Sequence, residues 1–294
     1  TNIGSTSNKG IELSIESQNI VRPNFHWTTT LTMSHNDQMV DDIGSEDFIS
    51  AYDSPGNNSY MMYGYVKGYP LNSLWGFKYG GTWKNADERK ENEITKTYVS
   101  VSNTDGGARY YDVNHDGVMS REDLIYQGNA DPYLYGGLQN TFYIHGFKLG
   151  VYFAYSLGGK IYNYSEIYMA GSQFANQYRY MLNAWHPVRN PNSDIPRAGA
   201  KSDAALPSDF MIHDASYLRL KNVTLSYTFD LKKKCSWMKD LTLSVSGENL
   251  YLWKKYNGFD PDVSSEGTSS TLRRMDLGAY PKPRTIIFSI QLRY

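Results

Sequence analysis

Residues 147 to 157 read FKLGVYFAYSL, and their side chains alternate in character along the chain. One parity is apolar or aromatic throughout: Phe147, Leu149, Val151, Phe153, Tyr155 and Leu157. The other parity carries Lys148, Gly150, Tyr152, Ala154 and Ser156. Because successive side chains of a strand point to opposite faces of its sheet, this period of two predicts a β-strand with one apolar face.

The neighbouring segments repeat this pattern. YGGLQNTFYI at 135–144 is separated from the first strand by only His145 and Gly146, a connection typical of a tight hairpin. Five further segments alternate in the same way: 10–17, 25–34, 222–229, 240–249 and 285–294. We therefore predict seven strands of roughly nine to thirteen residues, the length that a tilted strand needs to cross a hydrocarbon layer.

One parity change interrupts this regularity. Leu218 and Leu220 lie on the opposite parity from Val223 and Leu225. The change predicts either a β-bulge near Asn222 or a change of environment there.

The connections between the strands alternate between short and long. The short ones lie at about 21–24, 145–146 and 231–239, and the long ones at about 40–132, 158–213 and 255–282. Transmembrane β-barrels show this asymmetry, with tight turns on the periplasmic side and long loops outside the cell. The fold predicted for residues 1–294 is therefore all-β, an antiparallel transmembrane sheet with long extracellular loops.

The composition bears on the alternative folds. A soluble β-sandwich also alternates apolar and polar residues, so alternation alone does not separate the two. The chain has 26 Tyr, 6 Trp and 11 Phe at a mean hydropathy of −0.56, and aromatic girdles are typical of membrane barrels. Its 29 basic and 30 acidic residues nearly cancel, which gives no charge excess for binding nucleic acid.

A calcium-type loop stands out within the first long connection. Asp112, Asn114 and Asp116 occupy its positions one, three and five, and Gly117 stands at the sharp turn. Val118 would offer a backbone carbonyl at position seven, and Asp123 stands at position twelve in place of the usual Glu. The pattern predicts a structural Ca²⁺ ion that orders the loop, and the alternative is a metal-free cluster of Asx turns.

Several long blocks together resemble one family. They include NKGIELSI at 8–15, GYPLNSLWGFKYGGTW at 68–83, the stretch 110–153, AWHPVRNPNSDIPR at 184–197 and YPKPRTIIFSIQLRY at 280–294. In this order they resemble the C-terminal part of a SusC-like TonB-dependent outer-membrane transporter, of the SusC/RagA type. The resemblance covers nearly the whole chain.

The resemblance implies a barrel of 22 strands, of which these would be the last seven or so, with a plug domain that is absent from this chain. It implies import of oligosaccharides or peptides across the outer membrane of a Gram-negative bacterium. The implied partners are a SusD-like surface lipoprotein and the TonB system, reached through the missing N-terminal part, together with outer-membrane lipid. No cofactor is required by the resemblance.

Contacts with substrate or with the lipoprotein lid are expected in the long loops, where aromatic rings can stack on sugars. The candidates are Trp83, Tyr110, Tyr111, Tyr164, Tyr168, Trp185 and Arg189. Loop aromatics also commonly hold the loop itself together, so each residue has a packing role as its alternative.

The sequence offers no convincing catalytic set, so we predict that the protein is not an enzyme. Its six histidines are scattered without metal spacing, and the single cysteine, Cys235, excludes an internal disulfide. Two other functions stay open: a soluble extracellular carbohydrate-binding β-sandwich with a calcium-ordered loop, and a surface glycosidase with two carboxylates across a cleft.

Overall fold

The computed structural model describes residues 4–50, 63–169, 176–199, 206–232, 237–263 and 273–294. In chain order the strands are β1 (Ser5–Arg22), β2 (Phe25–Asp42), β3 (Ile49–Ser50), β4 (Gly64–Tyr65), β5 (Ser73–Gly76), β6 (Tyr79–Thr82), β7 (Tyr98–Val99), β8 (Ala108–Tyr111), β9 (Ile125–Asn129), β10 (Leu134–Ile144), β11 (Phe147–Leu157), β12 (Lys160–Tyr162), β13 (Ile212–Asp214), β14 (Tyr217–Asp230), β15 (Asp240–Lys254) and β16 (Thr285–Arg293). The helices are α1 (Ala86–Thr95), α2 (Ser165–Met169) and 3₁₀ turns at Arg121–Asp123, Arg179–Asn183 and Asp209–Met211.

Seven long strands form the main sheet. Their spatial order is β1-β2-β10-β11-β14-β15-β16, the same as their order in the chain, and each neighbouring pair is antiparallel. The predicted seven-stranded antiparallel sheet is thereby confirmed. As described, β1 and β16 are the two edge strands of an open sheet.

The first two strands are longer than their alternation predicts. β1 and β2 each run for 18 residues, and their pairing continues past the apolar stripe to Ser5 and Asp42. Backbone hydrogen bonds hold this extension, which is polar apart from Met39 and Val40, so no alternating apolar pattern reveals it.

The turn and the irregularity predicted from the sequence are both present. His145 and Gly146 join β10 to β11 with φ of 46° and 88°, the positive pair that a type I′ hairpin turn requires. In β14 the register shifts between Leu220 and Asn222 on both sides, which leaves Lys221 as the bulged residue. This bulge explains why the apolar parity changes within one strand.

The pairing register aligns the apolar stripes into one continuous face. One row across six strands contains Ile15, Leu31, Leu138, Phe153, Leu220 and Tyr251. A second row joins Leu149, Leu225, Val245 and Phe288. Among the described residues of this sheet, Val40 is the only buried hydrophobic residue. Side chains of the apolar face stay accessible, as at Phe288, which is 81% exposed.

The buried core lies in the long connections instead. The described parts of 43–133, 158–216 and 255–284 pack together at one end of the sheet, and we call them the loop cap. One cluster draws from all three connections: Tyr63, Leu74, Tyr162, Tyr164, Met211 and Met275. Backbone hydrogen bonds from Phe77 N to Pro207 O (3.1 Å) and from Tyr162 N to Arg274 O (3.0 Å) join the three connections further.

Within the described ranges, neither helix combines the length and the apolar character that crossing a membrane would require.

Candidate functional site

A polar cavity of about 560 Å³ opens where the loop cap meets the polar face of the main sheet. Its floor is built by β2, β10, β11 and β14, and its walls by the ends of the first and third connections. The floor residues include Ser34, Tyr135, Tyr152, Ser156 and Tyr217, and the wall residues include Asp131, Asp262, Arg273 and Arg274.

Two consecutive arginines form the cationic wall of this cavity. Arg273 donates to Asp131 Oδ1 at 2.8 Å, and the other oxygen of Asp131 accepts from Asn72 at 2.6 Å. Arg274 instead donates to Ser156 Oγ at 2.8 Å and to the carbonyl of Gly158 at 3.3 Å. Both of these acceptors are neutral, while the carboxylates of Asp262 and Asp131 lie near enough to interact with its charge, and burial lowers its pKa.

A buried ion pair fixes the third connection to the sheet beside this cavity. Arg219 of β14 donates to Asp260 Oδ1 at 2.6 Å, and both side chains are almost fully buried. The same carboxylate oxygen accepts from the backbone N–H of Asp262 at 3.0 Å, which places Asp262 at the cavity wall. The connection is therefore held at the residues that shape the cavity.

Trp83, Tyr110 and Tyr164 are buried inside the loop cap. Trp83 donates through Nε1 to Ser100 Oγ at 3.1 Å, and the hydroxyl of Tyr110 accepts from the backbone N–H of Leu206. Burial raises the pKa of the Tyr110 hydroxyl. Tyr164 belongs to the cluster shared by the three connections. In this arrangement all three side chains pack the cap.

Of the remaining candidates, Trp185 is also buried, whereas Tyr111 and Arg189 are exposed. Tyr111 is exposed, with its ring 4.9 Å from that of Tyr98. Trp185 and Arg189 line a second cavity of about 510 Å³, which Arg197 and Asp105 also border. The side chain of Tyr168 lies outside the described residues. Among the candidates whose side chains the structure describes, Trp185 and Arg189 are the pair that line one cavity together.

The predicted calcium-type loop is folded as a tight turn between β8 and β9. Asp112 Oδ2 accepts from the Gly117 N–H at 2.7 Å, while the two oxygens of Asp123 accept from the N–H groups of Val113 and Ser120. Asn114 donates to Asp116 Oδ2 at 3.1 Å. As these side chains lie, no three His, Cys, Asp or Glu residues of the described ranges converge as metal ligands.

Sequence reasoning missed the charged residues that shape the first cavity: Asp131, Arg219, Asp260, Asp262, Arg273 and Arg274. Arg273 and Arg274 form an Arg-Arg pair in the chain, which is the only local signal. Asp131 and Arg273 are 142 residues apart in the chain, so spacing gives no hint of their contact.

One histidine does have a carboxylate partner. His213 Nε2 lies 3.0 Å from Glu166 Oε2, and Glu166 is buried in the cap. The pair stands beside Tyr256, whose ring centroid is 5.7 Å from that of His213. The pair therefore joins α2 to β13, which both belong to the second connection.

Comparison with known proteins gives a consistent relationship. No protein-family model matches the chain. TonB-dependent receptor P26 of Formosa agariphila is 31% identical over 302 residues, an alignment that covers 100% of this chain and 30% of that receptor. TonB-dependent receptor SusC of Bacteroides thetaiotaomicron is 27% identical, with 100% of this chain and 27% of SusC covered.

A solved structure shares the fold. The RagAB peptide transporter superposes with a TM-score of 0.76 at 21% identity, over 99% of this chain and 30% of that chain. The chain thus spans about 30% of the length of its SusC/RagA-type relatives. The resemblance predicted from the sequence blocks is confirmed: the chain matches about 30% of a SusC/RagA-type TonB-dependent receptor, a family of the Gram-negative outer membrane.

Proposed function

We propose that this fragment, which matches about 30% of a SusC/RagA-type TonB-dependent receptor, forms the last seven or so strands of a 22-stranded outer-membrane barrel that imports oligosaccharides or peptides. The energy for import would come from the TonB system, through receptor segments outside these 294 residues. The closed barrel and its plug belong to the proposal, as does the position of the fragment at the C-terminal end.

The observation that carries the proposal is the uncovered apolar face of the main sheet. It runs without a break across seven strands, and its side chains include Ile11, Leu149, Val245, Phe288 and Ile290. Ile11, Phe288 and Ile290 are each more than 70% exposed. Contiguous apolar patches beyond a few hundred Å² are rare on soluble monomers, and lipid is the solvent that such a face requires.

The rival soluble sandwich meets a specific difficulty. A sandwich buries the apolar face of one sheet against a second sheet about 10 Å away. In the described ranges the other sheets have two or three short strands and belong to the loop cap, at the end of the main sheet. No described element covers the apolar face.

The cavity supports a polar cargo. Tyrosine hydroxyls, Ser34 and Asn36 face it together with two arginines and two aspartates, so its charge is balanced. Such a lining suits the hydroxyls of an oligosaccharide and the amides or termini of a peptide. RagAB is a peptide transporter, and this makes peptides the first cargo to test beside glycans.

A second protein fits the outer surface of the loop cap. The resemblance to SusC-like transporters implies a SusD-like surface lipoprotein, which we propose as the partner. Tyr111, Trp185 and Arg189 are the residues of the cap that we assign to contact with this lid or with cargo, together with Tyr168. Trp83, Tyr110 and Tyr164 support that surface from below.

Fractionation of cells that produce the full-length receptor tests the proposal. We expect the receptor in the outer membrane, soluble only in detergent, and expect an affinity tag on it to retain one lipoprotein. A matched strain without the receptor should lose uptake of either labelled oligosaccharides or labelled peptides. Recovery of the receptor in the soluble fraction would contradict the proposal and favour the sandwich.

A further inference from the structure

Asp112, at the start of the turn between β8 and β9, holds a buried oxygen without a partner. The residue is 2% exposed. Its Oδ2 accepts from the N–H of Gly117 at 2.7 Å, which turns the carboxylate into the loop. Its Oδ1 is buried and has no hydrogen-bond partner. Because a buried anionic oxygen without a donor is costly, this atom indicates a positively charged ligand.

The backbone reverses direction within the loop through two residues with positive φ. Gly117 has φ of 82° and His115 has φ of 61°, both in the left-handed region. The positive φ at Gly117 reverses the chain at the sixth position of a twelve-residue loop, as calcium loops require. Asp116, two residues after Asn114, is exposed; its Oδ2 accepts from the Asn114 amide at 3.1 Å and its Oδ1 from the N–H of Val118 at 2.6 Å.

We propose that residues 112–123 bind one Ca²⁺ ion through Asp112 Oδ1, the side chains of Asn114, Asp116 and Asp123, and the carbonyl of Val118. The buried Oδ1 of Asp112 is the ligand that is already in place before the ion binds. Asp116 reaches the ion by a side-chain rotation at the surface that breaks its hydrogen bonds with the Asn114 amide and the Val118 N–H. This inference rests on the turn itself and does not depend on the transport function.

The ligand set favours Ca²⁺ over Mg²⁺ and predicts weak binding. All five groups are protein oxygens, which suits Ca²⁺, whereas Mg²⁺ demands near-ideal octahedral geometry and retains its waters. Asp123 is shorter than the usual glutamate at position twelve, and both its oxygens already accept backbone N–H groups. We expect a Kd of about 10⁻⁴ to 10⁻³ M, as for extracellular modules.

The ion would stabilise the first connection of the loop cap. The N–H of Asp112 donates to Thr97 O at 3.0 Å, and Met119 and Leu124 pack on the cluster of Phe77, Val99, Ala108 and Tyr110. Lys96 donates to the carbonyl of Asp116 at 2.9 Å from the end of α1. A bound ion therefore holds β8, β9 and α1 in one arrangement.

Equilibrium binding of radioactive Ca²⁺ to the full-length receptor, purified in detergent and stripped with a chelator, tests this site. Asp112→Asn keeps an acceptor for Gly117 but replaces the free oxygen, so we expect one fewer Ca²⁺ ion per receptor. Asp116→Asn should weaken that site at least tenfold. Glu91→Gln on exposed α1 removes the same charge in the same connection and should leave binding unchanged.

Equal Ca²⁺ stoichiometry and affinity in the wild type, Asp112→Asn and Asp116→Asn would overturn the proposal and leave a metal-free turn. Equal displacement of the ion by Mg²⁺ would overturn the assignment to calcium. If Asp112→Asn fails to assemble, Asp116→Asn decides, because Asp116 is exposed and its replacement leaves the buried turn intact.

Discussion

Arg219 and Asp260 make the buried ion pair on which the third connection depends. Arg219→Met leaves the Asp260 carboxylate buried without its cation, and losing one partner of such a pair costs about 3–5 kcal/mol. We expect rapid cleavage of residues 255–284 when the folded variant receptor meets a protease. The double variant Arg219→Met, Asp260→Leu should recover most of the resistance, since an apolar pair of similar volume often replaces an ion pair. Purely additive effects of the two changes would contradict this coupling.

Arg274 is the cavity residue with the clearest consequence for cargo. Its two hydrogen-bond acceptors, Ser156 Oγ and the Gly158 carbonyl, are neutral, and its charge is balanced by the nearby carboxylates of Asp131 and Asp262, so the guanidinium can still donate to a polar cargo. Arg274→Gln should weaken cargo binding about tenfold or more, because a hydrogen bond to a charged group is worth about 1.5–3 kcal/mol. The measurement is the concentration dependence of cargo uptake by cells. Arg284→Gln, an exposed arginine outside the cavity lining, is the control, and equal uptake by both variants would remove Arg274 from the cargo site.

At this scale the sequence was informative only where a motif is local. The turn from Asp112 to Asp123 could be found because its groups follow one another in the chain. The cavity could not, since Asp131 and Arg273 meet only after three connections fold together. Aromatic content likewise cannot tell the buried Trp83 and Tyr110 from the exposed Tyr111.

The two faces of β11 and β14 lead to a prediction about assembly of the receptor in the membrane. Val151 belongs to the apolar face and pairs with Val223, whereas Thr224 lies on the polar face opposite Gly150. Val151→Arg should reduce the amount of assembled receptor in the outer membrane, because arginine on the lipid face costs about 2–4 kcal/mol at midplane. Thr224→Arg is the matched control and should assemble nearly normally. Ala154 is a poorer control, since it faces Arg219 and a second arginine there adds repulsion.

Membrane fractions blotted for the receptor measure both variants. Similar losses for Val151→Arg and Thr224→Arg would show that the two faces meet the same environment and would contradict the assignment of the apolar face to lipid.

The elements themselves were largely predictable. Period-two alternation located all seven strands, and the parity change between Leu220 and Val223 located the bulge at Lys221. Both signals exist because one face must be apolar along its whole length. The short strands β3 to β9 carry no such requirement, because each is fixed by packing within the cap rather than by a solvent boundary.

At the scale of the whole molecule, the main sheet and the loop cap differ in how far they bury their apolar side chains. The main sheet exposes its apolar residues and buries almost none, whereas the loop cap buries Leu74, Phe77 and Met211 completely. The first pattern follows from a sheet in lipid and is visible in the sequence. The second is an ordinary hydrophobic core assembled from segments far apart in the chain, and the sequence could not predict its contacts.

One buried cluster contains residues of all three connections. A cavity in this cluster should therefore make all three connections more accessible to protease together. Met211 is fully buried between Leu74 and Tyr63 of the first connection and Met275 of the third. Met211→Ala leaves a cavity there and should cost about 2–5 kcal/mol. Protease added to intact cells should then cut the first and third connections faster as well as the second. Leu182→Ala removes an exposed side chain of the second connection, 78% accessible, and should change none of these rates. Faster cutting confined to the second connection would mean that the three connections fold independently.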